Sequence, residues 1–125
     1  MNRLQQEANQ WIMEKHAMDF NKYQETAVET AIYPSTHRIL YPALGMAGEA
    51  GEVANKVKKI IRDGPENMPD DWKDQIASEI GDVLWYCAAL SNDIGIPLAL
   101  IAAQNRDKLL ARKQKGTIQG SGDKR

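Results

Sequence analysis

Apolar residues recur at a helical period along almost the whole chain, and no stretch alternates apolar and polar residues long enough to form a half-buried strand. Three breaker clusters divide that pattern: YPSTHR at 33–38, DGPENMPDD at 63–71 and GIP at 95–97. The spacing predicts a first helical region over about residues 2–32, interrupted near Met18 and Asp19, with residues 1–17 as a helical extension. A second helix is expected from about Arg38 to Arg62, with Pro42 tolerated in its first turn. A third, capped by Asp70 or Asp71, reaches about Asp93. A fourth runs from about Pro97 to Lys115, behind a glycine C-cap and a proline start. Residues 18–115 read as one helical domain, and the tail GTIQGSGDKR at 116–125 as a flexible segment. Four helices on short connections imply an all-α, four-helix-bundle-like fold.

A length of 125 residues suits a single domain with a real core, and 42% hydrophobic with 26% charged residues argues against global disorder. The net charge of -1 lacks the basic footprint of a protein that grips a nucleic-acid backbone, so a phosphate-bearing partner is expected to be a small molecule. Cys87 is the lone cysteine; it makes no intrachain disulfide and suits a reducing cytoplasm. The opening MNRLQQEANQW has no continuous apolar run, and the longest one, VLWYCAAL at 83–90, is far shorter than a membrane span. A soluble, cytoplasmic chain is expected.

Two acid pairs then stand out. GEAGEVANKVKK at 48–59 places Glu49 and Glu52 three apart, and SEIGDVLWY at 78–86 does the same with Glu79 and Asp82. On a helix such residues lie roughly 60° apart, on one side. Glu49 and Glu52 border an apolar arc of Met46, Val53, Val57 and Ile60, while Glu79 and Asp82 flank Ile76, Val83, Cys87 and Leu90. One such pair is explained by facing solvent. Two matched pairs beside apolar arcs place four carboxylates at the edge of a shared core, where repulsion and desolvation cost several kcal/mol, roughly, without a counter-charge. Lys56, four residues after Glu52, is a partner for it, yet one lysine does not neutralise four acids. All-oxygen ligands favour Mg²⁺, then Mn²⁺, over zinc. A di-iron bundle wants Glu-x-x-His pairs, and neither His16 nor His37 follows a glutamate by three.

On the fourth helix Asn105, Lys108 and Arg112 share a face about 60° wide. Alone, basic residues near a helix C-terminus complement its dipole, as Lys59 and Arg62 do on the second helix. Beside four acids and a cation, they become a candidate clamp for a polyphosphate. By the wheel, Trp85 points away from the acids toward packing or a subunit contact, and Trp72 is expected in the cap-region core.

These segments carry a resemblance. LGMAGEAGEVANKVKK, EIGDVLWYCAAL, NRDKLLARKQKGTI and the ending GSGDKR resemble the MazG-like nucleoside triphosphate pyrophosphohydrolases of the all-α NTP pyrophosphatase superfamily, in their small single-domain form. The likeness spans roughly residues 19 to 125. It implies Mg²⁺-dependent hydrolysis between the α and β phosphorus atoms of a nucleotide, with Glu49, Glu52, Glu79 and Asp82 as metal ligands and catalytic acids. It also implies phosphate or sugar contacts from Asn105, Lys108 and Arg112, with Lys56 beside the substrate and Tyr86 at the nucleoside pocket. A homodimer or homotetramer with sites at subunit interfaces is the implied assembly, and deoxynucleotides the implied substrates. A phosphoribosyl-ATP pyrophosphohydrolase-like enzyme and a non-catalytic metal- or nucleotide-binding oligomer are the competing readings.

Overall fold

The structure, a computed structural model, describes residues 2–15 and 17–125; Met1 and His16, both in the expected 1–17 extension, lie outside that description. The elements are α1 (Arg3–Lys15), α2 (Phe20–Thr30), a 3-10 turn (Ser35–His37), α3 (Leu40–Asp63), a second 3-10 turn (Pro65–Asn67), α4 (Trp72–Ile94) and α5 (Leu98–Lys115). No strand occurs among the described residues, and the fold is all-α as the periodicity implied. The break between α1 and α2 falls at the expected place, where the Asp19 carboxylate caps α2 by accepting from the Lys22 amide at 2.8 Å.

The central unit is the pair α3 and α4, joined across the Pro65–Asn67 turn and packed along much of their length. Their direction is antiparallel: Met46 meets Cys87 at one level, sulfur to sulfur at 3.5 Å, and Lys56 meets Glu79 further along. Close approach is possible at Gly45, where an added Cβ collides with the ring of Tyr86. α2 lies on α4, with Thr30 Oγ1 accepting from Trp85 Nε1 at 2.8 Å, and α5 packs on α2 and α4. Trp85 therefore packs within its own chain, against the buried cluster of Ala27, Ala88 and Leu98.

Two polar joints fix the other elements. Gln24 on α2 donates to the Ala88 carbonyl (3.1 Å) and to Ser91 Oγ (3.0 Å), and its Oε1 accepts from the Leu98 amide (3.1 Å) at the start of α5. Ser91 in turn donates to the Ile96 carbonyl, so one side chain ties three helices through the α4–α5 corner. The second joint is Asp93, whose side chain is 4% exposed. Its carboxylate accepts from Tyr33 Oη at 2.7 Å and from the Ile39 amide at 2.9 Å, and it pairs with Arg38 at 3.4 Å. Burial opposes its ionisation, but these three donors hold its carboxyl below the usual range. Ile39 needs such an anchor, because it sits at φ 68°, where a β-branched residue is strained. This is why α3 starts at Leu40 rather than Arg38; Pro42 lies buried in its first turn, as expected.

Two expectations change. Asp71 precedes α4 but makes no side-chain cap; its carboxylate instead accepts from Gln75 Nε2 at 2.8 Å. The tail is not a loose segment: Arg125 donates to the carbonyls of Thr117 (3.1 Å), Ile118 (3.0 Å) and Gly122 (2.6 Å), and Asp123 returns to α5. Composition gave no sign of that, because the ordering comes from polar contacts of Arg125 and of two α5 cations rather than from apolar residues in the tail.

The chain leaves much surface open. Its accessible area is 9624 Å², against about 6,700 Å² for a compact monomer of 14.0 kDa. The buried hydrophobic residues are Ala27, Ala88, Ala89 and Leu98, whereas α1 has no buried residue and exposes Leu4, Trp11, Ile12 and Met13. No single helix among the described residues is long and apolar enough to cross a membrane.

The Gln24 joint sets a first expectation. Gln24→Ala strands the Leu98 amide and Ser91, and lowers unfolding free energy by about 2–3 kcal/mol in urea titrations, whereas Gln10→Ala on the exposed α1 changes it by less than about 0.5 kcal/mol.

Candidate functional site

The antiparallel register of α3 and α4 brings the two acid pairs to one level. Glu49, Glu79 and Asp82 each offer a carboxylate oxygen, and these atoms all lie within 4.8 Å of one another. Glu49 and Glu79 are half-buried and Asp82 is exposed, so the cluster sits at the edge of the helix interface, open to solvent on one side. Glu52, one turn further along α3, is exposed and stands beside the trio rather than in it.

Three carboxylates this close strain one another. Burial pushes the Glu49 carboxyl above its ordinary value, helped by a hydrogen bond shared with Glu79 and by the charges of Asp82, Glu79 and Glu52. Among the described residues Lys56 pairs with the trio through Glu79, and it corrects the sequence expectation: Lys56 Nζ pairs across the interface with Glu79 Oε1 at 3.6 Å rather than along its own helix with Glu52. The partner across the groove is favoured because helix packing brings it to hand without folding two long side chains over a solvated face. A single half-exposed lysine leaves the trio with net negative charge. The donor set is all oxygen, open on one side and short of positive charge, which fits a hard divalent cation.

Aromatic residues flank the cluster on one side. Tyr86, one turn after Asp82 on α4, packs its ring against Gly45. Burial raises its pKa, with the Tyr41 phenol, Glu49 and Asp82 adding to the shift. Tyr41 stacks on Tyr33 with ring centres 4.8 Å apart and lies 6.4 Å from Tyr86. Sequence reasoning missed Tyr33, Tyr41 and Asp93, since their role depends on the folded path of the 33–39 loop. On the other side, beyond Lys56, a cavity of about 190 Å³ opens at the end of the α3–α4 hairpin, with Lys59, Ile60, Trp72 and Ile76 in its wall. Trp72 is thus half-buried at the hairpin end, where a cap-region core residue was expected. His37 and Arg38 lie in the loop before α3, and Arg38 is held by Asp93. Arg62 is paired with its neighbour Asp63 at 2.7 Å.

The basic residues of α5 are differently engaged. Asn105 is exposed, and Lys108 and Arg112 both reach Asp123 of the tail, at 2.9 and 3.1 Å. α5 packs on α2 and α4, so the structure joins the acids of α3 and α4 to each other, and Lys108 and Arg112 of α5 to the tail.

Residues 36–117 match the model of the MazG nucleotide pyrophosphohydrolase domain. The chain is also 44% identical over 114 residues to the Gene 37 protein of Mycobacterium phage L5, a match that covers 86% of this chain and 100% of that protein. No solved structure matches the chain.

The strain on Glu49 sets a pH expectation. Its raised pKa means the fold is favoured by the protonated carboxyl below the ordinary value and loses that contribution as pH rises through the raised one. In a chelator, the thermal midpoint of the wild type therefore falls relative to Glu49→Gln as pH rises through the acid range to neutral. Added Mn²⁺ or Mg²⁺ restores the wild type, by about 2.7 kcal/mol at an ion concentration 100 times Kd, and leaves the variant nearly unmoved.

Proposed function

Because the chain belongs to the MazG nucleotide pyrophosphohydrolase family, we propose that it hydrolyses the α–β phosphoanhydride of (deoxy)nucleoside triphosphates, releasing a nucleoside monophosphate and pyrophosphate. The observation that carries this reading is the convergence of Glu49, Glu79 and Asp82 at one open edge of the α3–α4 interface.

A water oxygen attacks the α-phosphorus, the bond from that phosphorus to the bridging oxygen breaks, and the electron pair leaves with pyrophosphate. A divalent cation bound at the trio, Mg²⁺ or Mn²⁺, would supply Lewis-acid polarisation of the phosphoryl group and a lowered pKa for the attacking water. Glu49, Glu79 and Asp82 would hold that ion, and Glu49 or Glu52 would take the proton released by the water. Lys56 keeps Glu79 in place and offsets part of the substrate's charge. Tyr86, packed between Gly45 and Tyr41, borders the nucleoside end, while Asn105, Lys108 and Arg112 serve the phosphates. The reading extends to deoxynucleotides as substrates and the cytoplasm as the compartment.

The active form in this reading is a homodimer or homotetramer. Supporting it are the surplus of accessible area and the exposed Leu44, Ile61, Ile80, Leu84 and Leu110, which leave α3, α4 and α5 with uncovered apolar faces. Sedimentation equilibrium is expected to give a mass of two or four chains at micromolar concentration; a monomer there refutes the assembly.

The chemistry is tested by pyrophosphate release from each dNTP and NTP with Mg²⁺ or Mn²⁺. Metal-dependent release is expected, and Glu79→Gln lowers turnover by about 100-fold or more while keeping its fold. Equal turnover in Glu79→Gln removes the trio from the mechanism, and absence of release from every nucleotide overturns the assignment.

A further inference from the structure

The Lys108–Arg112 pair is already occupied by an anion, and that anion belongs to the chain. Asp123 Oδ1 takes both Lys108 Nζ at 2.9 Å and Arg112 Nη2 at 3.1 Å, and Arg112 Nη2 also donates to the Asp123 carbonyl at 2.7 Å. The two sides of this contact are unequal. Arg112 is 7% exposed, fixed on α5, whereas the Asp123 side chain is 81% exposed, so the cation is built in and the carboxylate is laid on top. The seat is also incompletely filled: Arg112 Nε and the neighbouring Thr117 Oγ1 are buried with no hydrogen-bond partner among the described residues. A single carboxylate oxygen serves two cations while part of the guanidinium fork goes unused.

The occupant can leave cheaply. Asp123 lies in a turn between Gly122, at φ 84°, and Arg125, and Arg125 holds that turn closed on the Thr117 and Ile118 carbonyls. Asp123 meets α5 through polar contacts, the two ion pairs and the Arg112 bond to its carbonyl, and because its own side chain lies in solvent these pairs are screened on the carboxylate side and contribute modestly. A pyrophosphate group brings several acceptor oxygens and more charge, enough to serve Lys108 and Arg112 on separate atoms.

Resting on the nucleotide reading above, we propose that Asp123 is an exchangeable internal anion that closes the Lys108–Arg112 seat, and that the pyrophosphate moiety of substrate or product enters by displacing it. The tail then acts as a latch: it covers Arg112 when the seat is empty of phosphate and swings off when phosphate binds. Any protonation of Asp123 would release it in the same way, and Lys108 and Arg112, the two groups that face it, keep its carboxyl below the ordinary range, so the latch is closed at neutral pH.

The test uses the full chain and inorganic pyrophosphate in EDTA, where the acid trio makes no metal-bridged contribution. Calorimetric titration is expected to show Asp123→Asn binding pyrophosphate about fivefold more tightly than wild type, because a charged competitor is gone, and Lys108→Gln binding more weakly. In the wild type, pyrophosphate is expected to move the Asp123 side-chain carboxyl carbon resonance toward that of an unpaired carboxylate; thermal midpoints establish that both variants fold. Equal or weaker binding by Asp123→Asn, or an Asp123 carboxyl resonance that pyrophosphate leaves unmoved, overturns the latch. Its failure is separable from that of the enzymatic reading. If nucleotides are hydrolysed but Asp123→Asn binds no tighter, only the latch falls; if no nucleotide is hydrolysed but the exchange occurs, the seat stands and the reaction is wrong.

Discussion

The antiparallel packing of α3 on α4 is the constraint on which the site depends. Two helices that each carry an acid pair at the border of an apolar arc become a site only when their register sets the pairs level. Here the register is fixed by contacts on both sides of the acids: Tyr86 against Gly45 and Cys87 against Met46 toward one end, Lys56 against Glu79 toward the other. A side chain at position 45 would displace the Tyr86 ring that packs α4 on α3 there, since the space a Cβ needs is filled by that ring. The missing side chain at one position therefore bears on the spacing of carboxylates one turn away.

That arrangement sets stability against function within the same few residues. Packing energy from the helix interface holds together groups whose charges push apart, and the pKa of the Glu49 carboxyl is raised first by its burial there and then by the hydrogen bond to Glu79 and the neighbouring charges. Lys56 relieves the repulsion in part. The remainder is the driving force for taking up a cation, because an ion that binds the folded arrangement and not the unfolded chain returns the free energy lost to repulsion. The Asp93 joint is the opposite case, a buried carboxylate whose donors are all supplied by the chain, and it anchors the start of α3 rather than a ligand.

The architecture was largely legible in the sequence, since breakers such as Pro34, the DGPENMPDD loop and Gly95 set helix limits by local rules. So was the convergence of Glu49 with Glu79 and Asp82, because two matched acid pairs on adjacent helices have few other places to go. What escaped were partners set by the fold. Lys56 has Glu52 four residues before it, yet its ion pair is with Glu79; an i,i+4 contact is worth a few tenths of a kcal/mol, roughly, and gives way to an interhelical partner held in reach by packing. Tyr33, Ile39 and Asp93 form one joint from two distant segments, and no local pattern joins them.

The tail shows the same limit from the other direction. A glycine-rich polar segment lacks the apolar surface to order itself, so composition reads it as mobile. Yet two of its terminal charges, of opposite sign, find partners of different kinds: Arg125 takes backbone carbonyls of the tail itself, and Asp123 takes Lys108 and Arg112 of α5. Order obtained this way rests on a small number of polar contacts rather than on burial. It is accordingly specific in geometry but weak in free energy. A core contact would have made the segment part of the scaffold, whereas a polar closure over a half-satisfied arginine leaves it exchangeable with any anion that fills the same donors better.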